Sequence, residues 1–256
     1  MSRASTLEFG PRVFAGAAPI SSKAASAVVP LVMSAISPRS VVDVGCGLGM
    51  WARAFADRGV DVLGVDAHSV PRERLLISQQ AFEPIDLSKD FELGRRFDLV
   101  VSLEVAEHLP AASAETFVRS LVKLGDVILF SAAIPYQRGP GHVNEQWPEY
   151  WARVFHRHGY RTVDYMRKRI WNEPDVPPYY KQNMLFYVTE TALERYPELA
   201  KDALGRGELP LSLVHPQYYL RRSDFARSSV KWHYHRTIRH YGLAVAKRLG
   251  ILRAGD

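Results

Sequence analysis

The stretch that decides the fold is Ser40-Val41-Val42-Asp43-Val44-Gly45-Cys46-Gly47-Leu48-Gly49. Short, β-branched and nearly all apolar, its first half reads as a strand buried on both faces, as in a parallel sheet. Alternate glycines then turn the chain. Met50 to Arg58 reads as a helix capped by Gly59, and Val60 to Asp66 as the next strand. A glycine-rich turn between a buried strand and a helix lets a ligand approach the backbone closely. A dinucleotide fingerprint, G-x-G-x-x-G, would need its third glycine where Met50 stands, so a nicotinamide oxidoreductase fits the fold but not the turn. The spacing here is G-x-G-x-G. Asp43 precedes the first glycine, Asp66 ends the second strand, where it could accept both hydroxyls of a ribose, and Asp86 falls where a third strand should end.

Outward from this unit the alternation continues. Phe97 to Val105 reads as a strand, Ala111 to Leu124 as a helix and Val127 to Ala133 as another strand. Trp147 to His158 reads as a helix with Pro148 in its first turn and Gly159 after its end. Tyr160 to Met166 and Met184 to Val188 read as the last strands, joined by a loop holding Trp171, Pro177, Pro178, Tyr179 and Tyr180. Before the first strand, Ser21 to Ile36 carries apolar residues at helical spacing and stops at Ser37-Pro38. The rhythm is βαβ, and the class is α/β with a doubly wound, mostly parallel sheet and helices on both faces.

Composition narrows the setting. The 256 residues are 47% hydrophobic and 23% charged, an ordinary globular balance that excludes a disordered chain. The one cysteine, Cys46, excludes an internal disulfide and any multi-thiolate zinc site, and it suits the cytoplasm. No export signal is read at the start, and no run is read as the roughly 18 apolar residues a membrane span needs. The net charge of +6 is unevenly spread. Arg221 to Asp256 holds nine Lys/Arg against Asp224 and Asp256, whereas the rest of the chain has 24 basic and 25 acidic groups. Trp232, Tyr234 and Tyr241 interleave with these basic residues, a surface that nucleic acid could use. A helix packing Ile238, Leu243, Val245, Leu249 and Ile251 on the domain or on a second copy is the favoured reading of the tail, which gives a homo-oligomer precedence over a nucleic-acid partner.

The run Asp43-Val44-Gly45-Cys46-Gly47-Leu48-Gly49 resembles the D-x-G-x-G-x-G first motif of the class I S-adenosylmethionine-dependent methyltransferases. The resemblance spans Ser40 to Val188 and implies a Rossmann-like sheet of seven strands, the last antiparallel. It implies a helical segment over 1–39, a cofactor-binding domain over 40–189 and a basic extension over 190–256. By motif position, Asp43, Gly45, Cys46, Gly47 and Gly49 would line the methionine portion of the cofactor, Asp66 and Ala67 the ribose, and Asp86 with the Leu87 amide the adenine. Ser102 to Pro110 (SLEVAEHLP) is similar to the fourth motif, which implies Glu104 and His108 at the mouth of the site and Ser102 and Glu104 among the cofactor-binding residues. Trp51 could touch the cofactor, although an aromatic on a first helical turn more often belongs to the core. For Cys46, simple steric fit in a tight turn is favoured over thiol chemistry.

The acceptor side must come from later segments. Ile134 to Trp147 (IPYQRGPGHVNEQW) follows the fifth strand and concentrates polar groups, among them His142, Asn144 and Glu145. With Arg169-Ile170-Trp171 and Tyr180 to Asn183, this block resembles methyltransferases of bacterial glycan and glycosylated natural-product clusters. That resemblance implies O-methylation of a sugar, a glycan or a glycosylated small molecule. A hydroxyl acceptor must lose its proton, a task for histidine. His142, with Glu145 near enough to orient it, is the first candidate base and His108 the second. Nitrogen or carbon methylation of another metabolite, or an RNA-directed reaction using the basic tail, are the alternatives. The Asn/Asp-Pro-Pro-aromatic signature of amino-directed nucleic-acid enzymes is absent. No adjacent carboxylate pair is read, so Mg2+ stays open and unfavoured, and no metal ligand is assigned.

Overall fold

Val41 and Val42 are both fully buried, yet they face opposite ways, and this alternation organises the whole molecule. In the computed structural model, which describes residues 11–204 and 211–223 and side chains from 19 onward, seven strands form one sheet. They are β1 (Ser40–Val44), β2 (Asp61–Asp66), β3 (Phe82–Pro84), β4 (Leu99–Leu103), β5 (Val127–Ser131), β6 (Tyr160–Val163) and β7 (Leu185–Thr189), in the order β3-β2-β1-β4-β5-β7-β6. The pairs β3·β2, β2·β1, β1·β4 and β4·β5 are parallel, and β7 runs antiparallel to both β5 and β6. The expected sheet is therefore present, including its antiparallel seventh strand.

Two apolar layers cover it. Val41, Leu99, Val101, Val127 and Leu129 pack with α1 (Pro11–Ile36) and α2 (Met50–Ala56) on one face. Val42, Val44, Val100, Ile128 and Phe130 pack with α3 (Ala114–Leu124) and α4 (Pro148–Arg157) on the other. Burial on both faces explains why the central strands are apolar throughout. Each fully buried Phe or Leu here, such as Phe117, Phe155 and Leu121, contributes about 1.5–3 kcal/mol relative to exposure. Over Pro19–Ile36, α1 is long and apolar enough to cross a membrane by length and composition, with a mean hydropathy of 1.3. Its Ala24, Ala25, Val28, Val29 and Val32 are completely buried in the core instead.

Several boundaries differ from the sequence reading. Helix α1 begins at Pro11 and passes through Pro19, well before the expected start at Ser21. Strand β6 ends at Val163, and Tyr165–Ile170, expected to continue the strand as far as Met166, is a helix, α5. The helical turn brings Arg167 onto Asp164, three residues back, as a buried two-pronged ion pair with N···O distances of 2.9 and 2.7 Å. The expected loop around Tyr179 and Tyr180 contains another helix, α6 (Pro178–Asn183), because Pro178 occupies a first-turn position where its missing N–H costs nothing.

Helices α7 (Glu190–Arg195) and α8 (Pro197–Ala200) follow β7, after which Ala203 bridges Val163 and the Leu204 amide donates to Thr162. The chain divides into two compact units, Met1–Leu213 and Val214–Asp256. Of the second, residues 216–223 are helical. The expected packing of the basic tail falls on residues 224–256, outside the described residues.

Candidate active site

The sheet reverses its winding between β1 and β4, and the carboxyl ends of these two strands are the usual ligand position in this architecture. After β1, Gly45, Gly47 and Gly49 all take positive φ, at 85°, 55° and 84°. Gly45 has a second reason to be glycine: a Cβ there would lie 2.3 Å from Cγ2 of Val105 in the loop after β4. The Gly45 and Cys46 amides both donate to the Val65 carbonyl, at 2.7 and 3.1 Å, which ties the turn to β2. Asp43 is 2% exposed and accepts the Ala52 amide at 3.3 Å, anchoring the first turn of α2. Burial pushes its carboxyl up to about 7.

Asp66 closes the turn from the other side. One carboxylate oxygen accepts the Gly47 amide at 2.7 Å and the other the Ala67 amide at 2.6 Å. Burial raises its carboxyl above the ordinary range, and the two amides act in the opposite sense. Asp86 lies just past β3, and the amide of the intervening Ile85 donates to the Asp66 carbonyl at 2.8 Å. Its side chain accepts from the Ser88 hydroxyl at 2.6 Å and pairs with Lys89 at 3.0 Å, which together hold its carboxyl low. Leu87 is buried. Trp51 lies in the core, 5% exposed and edge-on to Tyr180, with ring centroids 5.3 Å apart. Cys46 is buried, its thiol pushed well up by burial, so it packs as a protonated apolar group.

On the β4 side, Ser102 is fully buried and its hydroxyl has no hydrogen-bond partner among the described residues. Glu104 follows in a left-handed backbone conformation, φ 56°, held by its amide bonds to the Ser131 carbonyl and hydroxyl. Its carboxylate accepts from Gln137 at 2.7 Å and from Asn183 at 3.3 Å, while Asn183 also donates to Gln137 at 2.9 Å. Three segments far apart in sequence thus meet in one buried polar network. Burial raises the Glu104 carboxyl despite these bonds.

The loop after β5 is fastened to the same place, because the Val143 and Asn144 amides donate to the Glu107 carbonyl at 2.8 and 3.0 Å. His142 thereby reaches His108, their rings crossing at 78° with centroids 4.9 Å apart. Nδ1 of His142 lies 2.8 Å from Glu145, whose carboxylate also accepts the Arg138 amide. Asn144 is buried and donates to the Ala106 carbonyl, which makes it a pin for the loop. Burial, reinforced by His142, pushes His108 down to about 4, so its imidazole is neutral at pH 7. Glu107 is completely buried beside this pair, and burial followed by the charge of Glu104 pushes its carboxyl well up.

Residues 20–168 match the family described as a methyltransferase domain. The chain belongs to that family. Its family and its seven-stranded sheet are those that the first motif implied. The ubiquinone biosynthesis O-methyltransferase of Acinetobacter baumannii (strain AYE) is 34% identical over 105 residues, covering 38% of this chain and 44% of the relative. The match thus spans less than half the length of that relative. The fold is similar to a putative O-methyltransferase from Nostoc punctiforme PCC 73102, with TM-score 0.53 and 17% identity over 74% of this chain and 64% of the other. It is equally similar to the sugar N-methyltransferase KedS8 from Streptoalloteichus sp ATCC 53650, with TM-score 0.53 and 16% identity over 74% of this chain and 96% of the other.

Within this methyltransferase, the fold brings His142, Glu145 and His108 together as one cluster and gathers Asp43, the glycines, Asp66 and Ala67 around one turn. Trp51 belongs to the core cluster. Three residues of the cluster escaped the sequence reading: Glu107, Gln137 and Asn183. All three lie in blocks that were singled out, SLEVAEHLP, IPYQRGPGHVNEQW and YKQN, but nothing local marks which polar residue of each block turns inward. One ligand atom each of Glu107, His108 and His142 also lies within 4.8 Å of the others.

Proposed function

We propose that this methyltransferase modifies a hydroxyl oxygen of a sugar, a glycan or a glycosylated small molecule. The observation that carries the reading is the His142–Glu145 contact of 2.8 Å, set against neutral His108 on the loop after β4. A hydroxyl gains most of its nucleophilicity by losing its proton, and a histidine oriented by a carboxylate is built for that. The deprotonation is centred on His142, with Glu145 fixing its ring and His108 shaping the wall beside it.

The residues around the glycine turn fit the cofactor. Three positive-φ glycines lie in the turn between Asp43 and Asp66, acids suited to an ammonium group and to ribose hydroxyls, and Asp86 with Leu87 stands just past the next strand for the adenine. When bound, S-adenosylmethionine supplies an electrophilic methyl on a sulfonium. Glu104, held by Gln137 and Asn183, borders the acceptor side, and positioning of the acceptor does most of the remaining work. The setting proposed is cytoplasmic, with the basic tail serving contact with a second copy.

The test has two stages. Calorimetry with S-adenosylmethionine, its demethylated product and NAD should show micromolar binding of the first two and none of the third. Screening glycosylated metabolites and glycan precursors with labelled methyl donor should then yield an O-methyl product. Methylation confined to nitrogen or to RNA would overturn the acceptor assignment.

A further inference from the structure

We propose that Glu107, His108 and His142 hold a divalent transition-metal cation at the acceptor edge of the site. One ligand atom from each of the three lies within 4.8 Å of the other two. A cation bonded at about 2.1 Å brings its ligands to roughly 3–4 Å from one another, so small side-chain rotations close the shell.

A second observation points to an occupant. Glu107 is 0% exposed, and neither of its carboxylate oxygens makes a hydrogen bond among the described residues. The charged form of a carboxyl group in that condition is costly, the more so beside the second buried carboxyl, Glu104. A cation satisfies it directly. The surroundings are also arranged as metal sites are. Glu145 meets Nδ1 of His142, and a carboxylate on a histidine fixes both tautomer and ring orientation. The loop carrying His142 is fastened to the residue carrying the carboxylate by the Val143 and Asn144 amides on the Glu107 carbonyl, so ligands from two loops share one rigid mount.

The donor set defines the chemical class of the ion. Two imidazoles and one carboxylate suit Mn2+, Fe2+, Co2+ or Zn2+, whereas Mg2+ and Ca2+ prefer oxygen. Three protein ligands leave coordination positions open for an acceptor hydroxyl. A hydroxyl bound there is acidified, and its proton leaves to solvent, so His142 would promote deprotonation by carrying the cation. This last step rests on the hydroxyl-directed reading above; binding of the cation does not.

The experiment uses the full chain, dialysed against chelator, with no methyl donor or acceptor present. Titration with Co2+, read by visible absorption, and with Mn2+, read by calorimetry, should show one equivalent bound. Glu107→Gln and His142→Ala should each weaken binding about 100-fold or more, whereas His158→Ala, a histidine paired with Glu115 on α4, should leave it unchanged. Addition of the ion should raise the melting temperature of wild type and of neither site variant. If Glu107→Gln does not fold, His142→Ala, at a less buried position, carries the same test. Wild type that binds no more tightly than the site variants, or that loses binding only on His158→Ala, overturns the site. A bound cation without hydroxyl methylation would refute the proposed acceptor while leaving the site standing.

Discussion

One carboxylate oxygen of Asp66 accepts the Gly47 amide across 2.7 Å, so the acid at the end of β2 holds the turn that follows β1. The residue therefore closes the glycine loop, a task beside the cofactor role proposed for it. Asp66→Ala should weaken cofactor binding by about 1–3 kcal/mol and lower the melting temperature of the free protein as well, because the Gly47 and Ala67 amides lose their acceptor. Asp66→Asn keeps an oxygen for one of these amides and should recover much of the stability but less of the binding. Calorimetry and thermal melts on the two variants check this, and an unchanged dissociation constant in Asp66→Ala would remove Asp66 from the cofactor site.

Asp43 makes a pH-dependent prediction. Burial raises its carboxyl in the folded protein from the ordinary 3.8 to about 7, so the folded state takes up a proton that the unfolded chain does not hold between those values. The free protein should therefore lose stability as pH rises from about 4 to 7 through this group, with the full penalty present above pH 7. Asp43→Asn removes the charge while keeping an oxygen for the Ala52 amide. It should stabilise the cofactor-free protein at pH 8 by at most on the order of 4 kcal/mol, and progressively less towards pH 4. Urea unfolding at several pH values reads the difference, and a gain that is larger at pH 5 than at pH 8 would contradict the assignment.

The sheet was legible because its signals are local. Ser40–Val44 and the glycines after it are contiguous, and a strand buried on both faces announces itself by composition. Tyr165–Ile170 was misread because its helix is fixed by Asp164 and Arg167, an ion pair that no periodicity reveals. The site shows the same division. The acids proposed for the cofactor lie at or near strand ends, where spacing locates them, but the network of Glu104, Gln137 and Asn183 joins the loops after β4 and β5 to α6. Long-range convergence of that kind leaves no trace in a single sequence beyond an unusual run of polar residues.

Arg167 tests how far the edge beyond β6 depends on one buried charge pair. It is 2% exposed, grips Asp164 with two nitrogens and donates to the Leu211 carbonyl at 2.6 Å. Arg167→Met should cost about 3–5 kcal/mol, because Asp164 is left buried and charged with no partner. Replacing both, as Asp164→Leu with Arg167→Met, should recover a large part of the loss. Denaturant unfolding of the two variants decides it; a double variant no more stable than the single one would mean that the bond to Leu211, and not the ion pair, is what matters.

His142 and His108 touch, so their substitutions separate chemistry from architecture. His142→Ala should lower turnover by roughly 100 to 10,000 fold while sparing cofactor affinity, since the imidazole on which deprotonation is centred is lost and the glycine turn is untouched. Glu145→Gln should give a smaller loss, because an amide oxygen still meets Nδ1 of His142 without the charge. His108→Ala should cost less turnover than His142→Ala, because it removes one ligand of the proposed cation and the 4.9 Å ring contact but leaves the imidazole held by Glu145 in place. The measurement is single-turnover methyl transfer to an acceptor found by the screen, with cofactor dissociation constants determined in parallel. Near-normal turnover in His142→Ala with abolition in His108→Ala would exchange the two roles. Full activity in both would place the catalytic effect in positioning alone, because a hydroxyl already oriented against the methyl group can react without a side chain to take its proton.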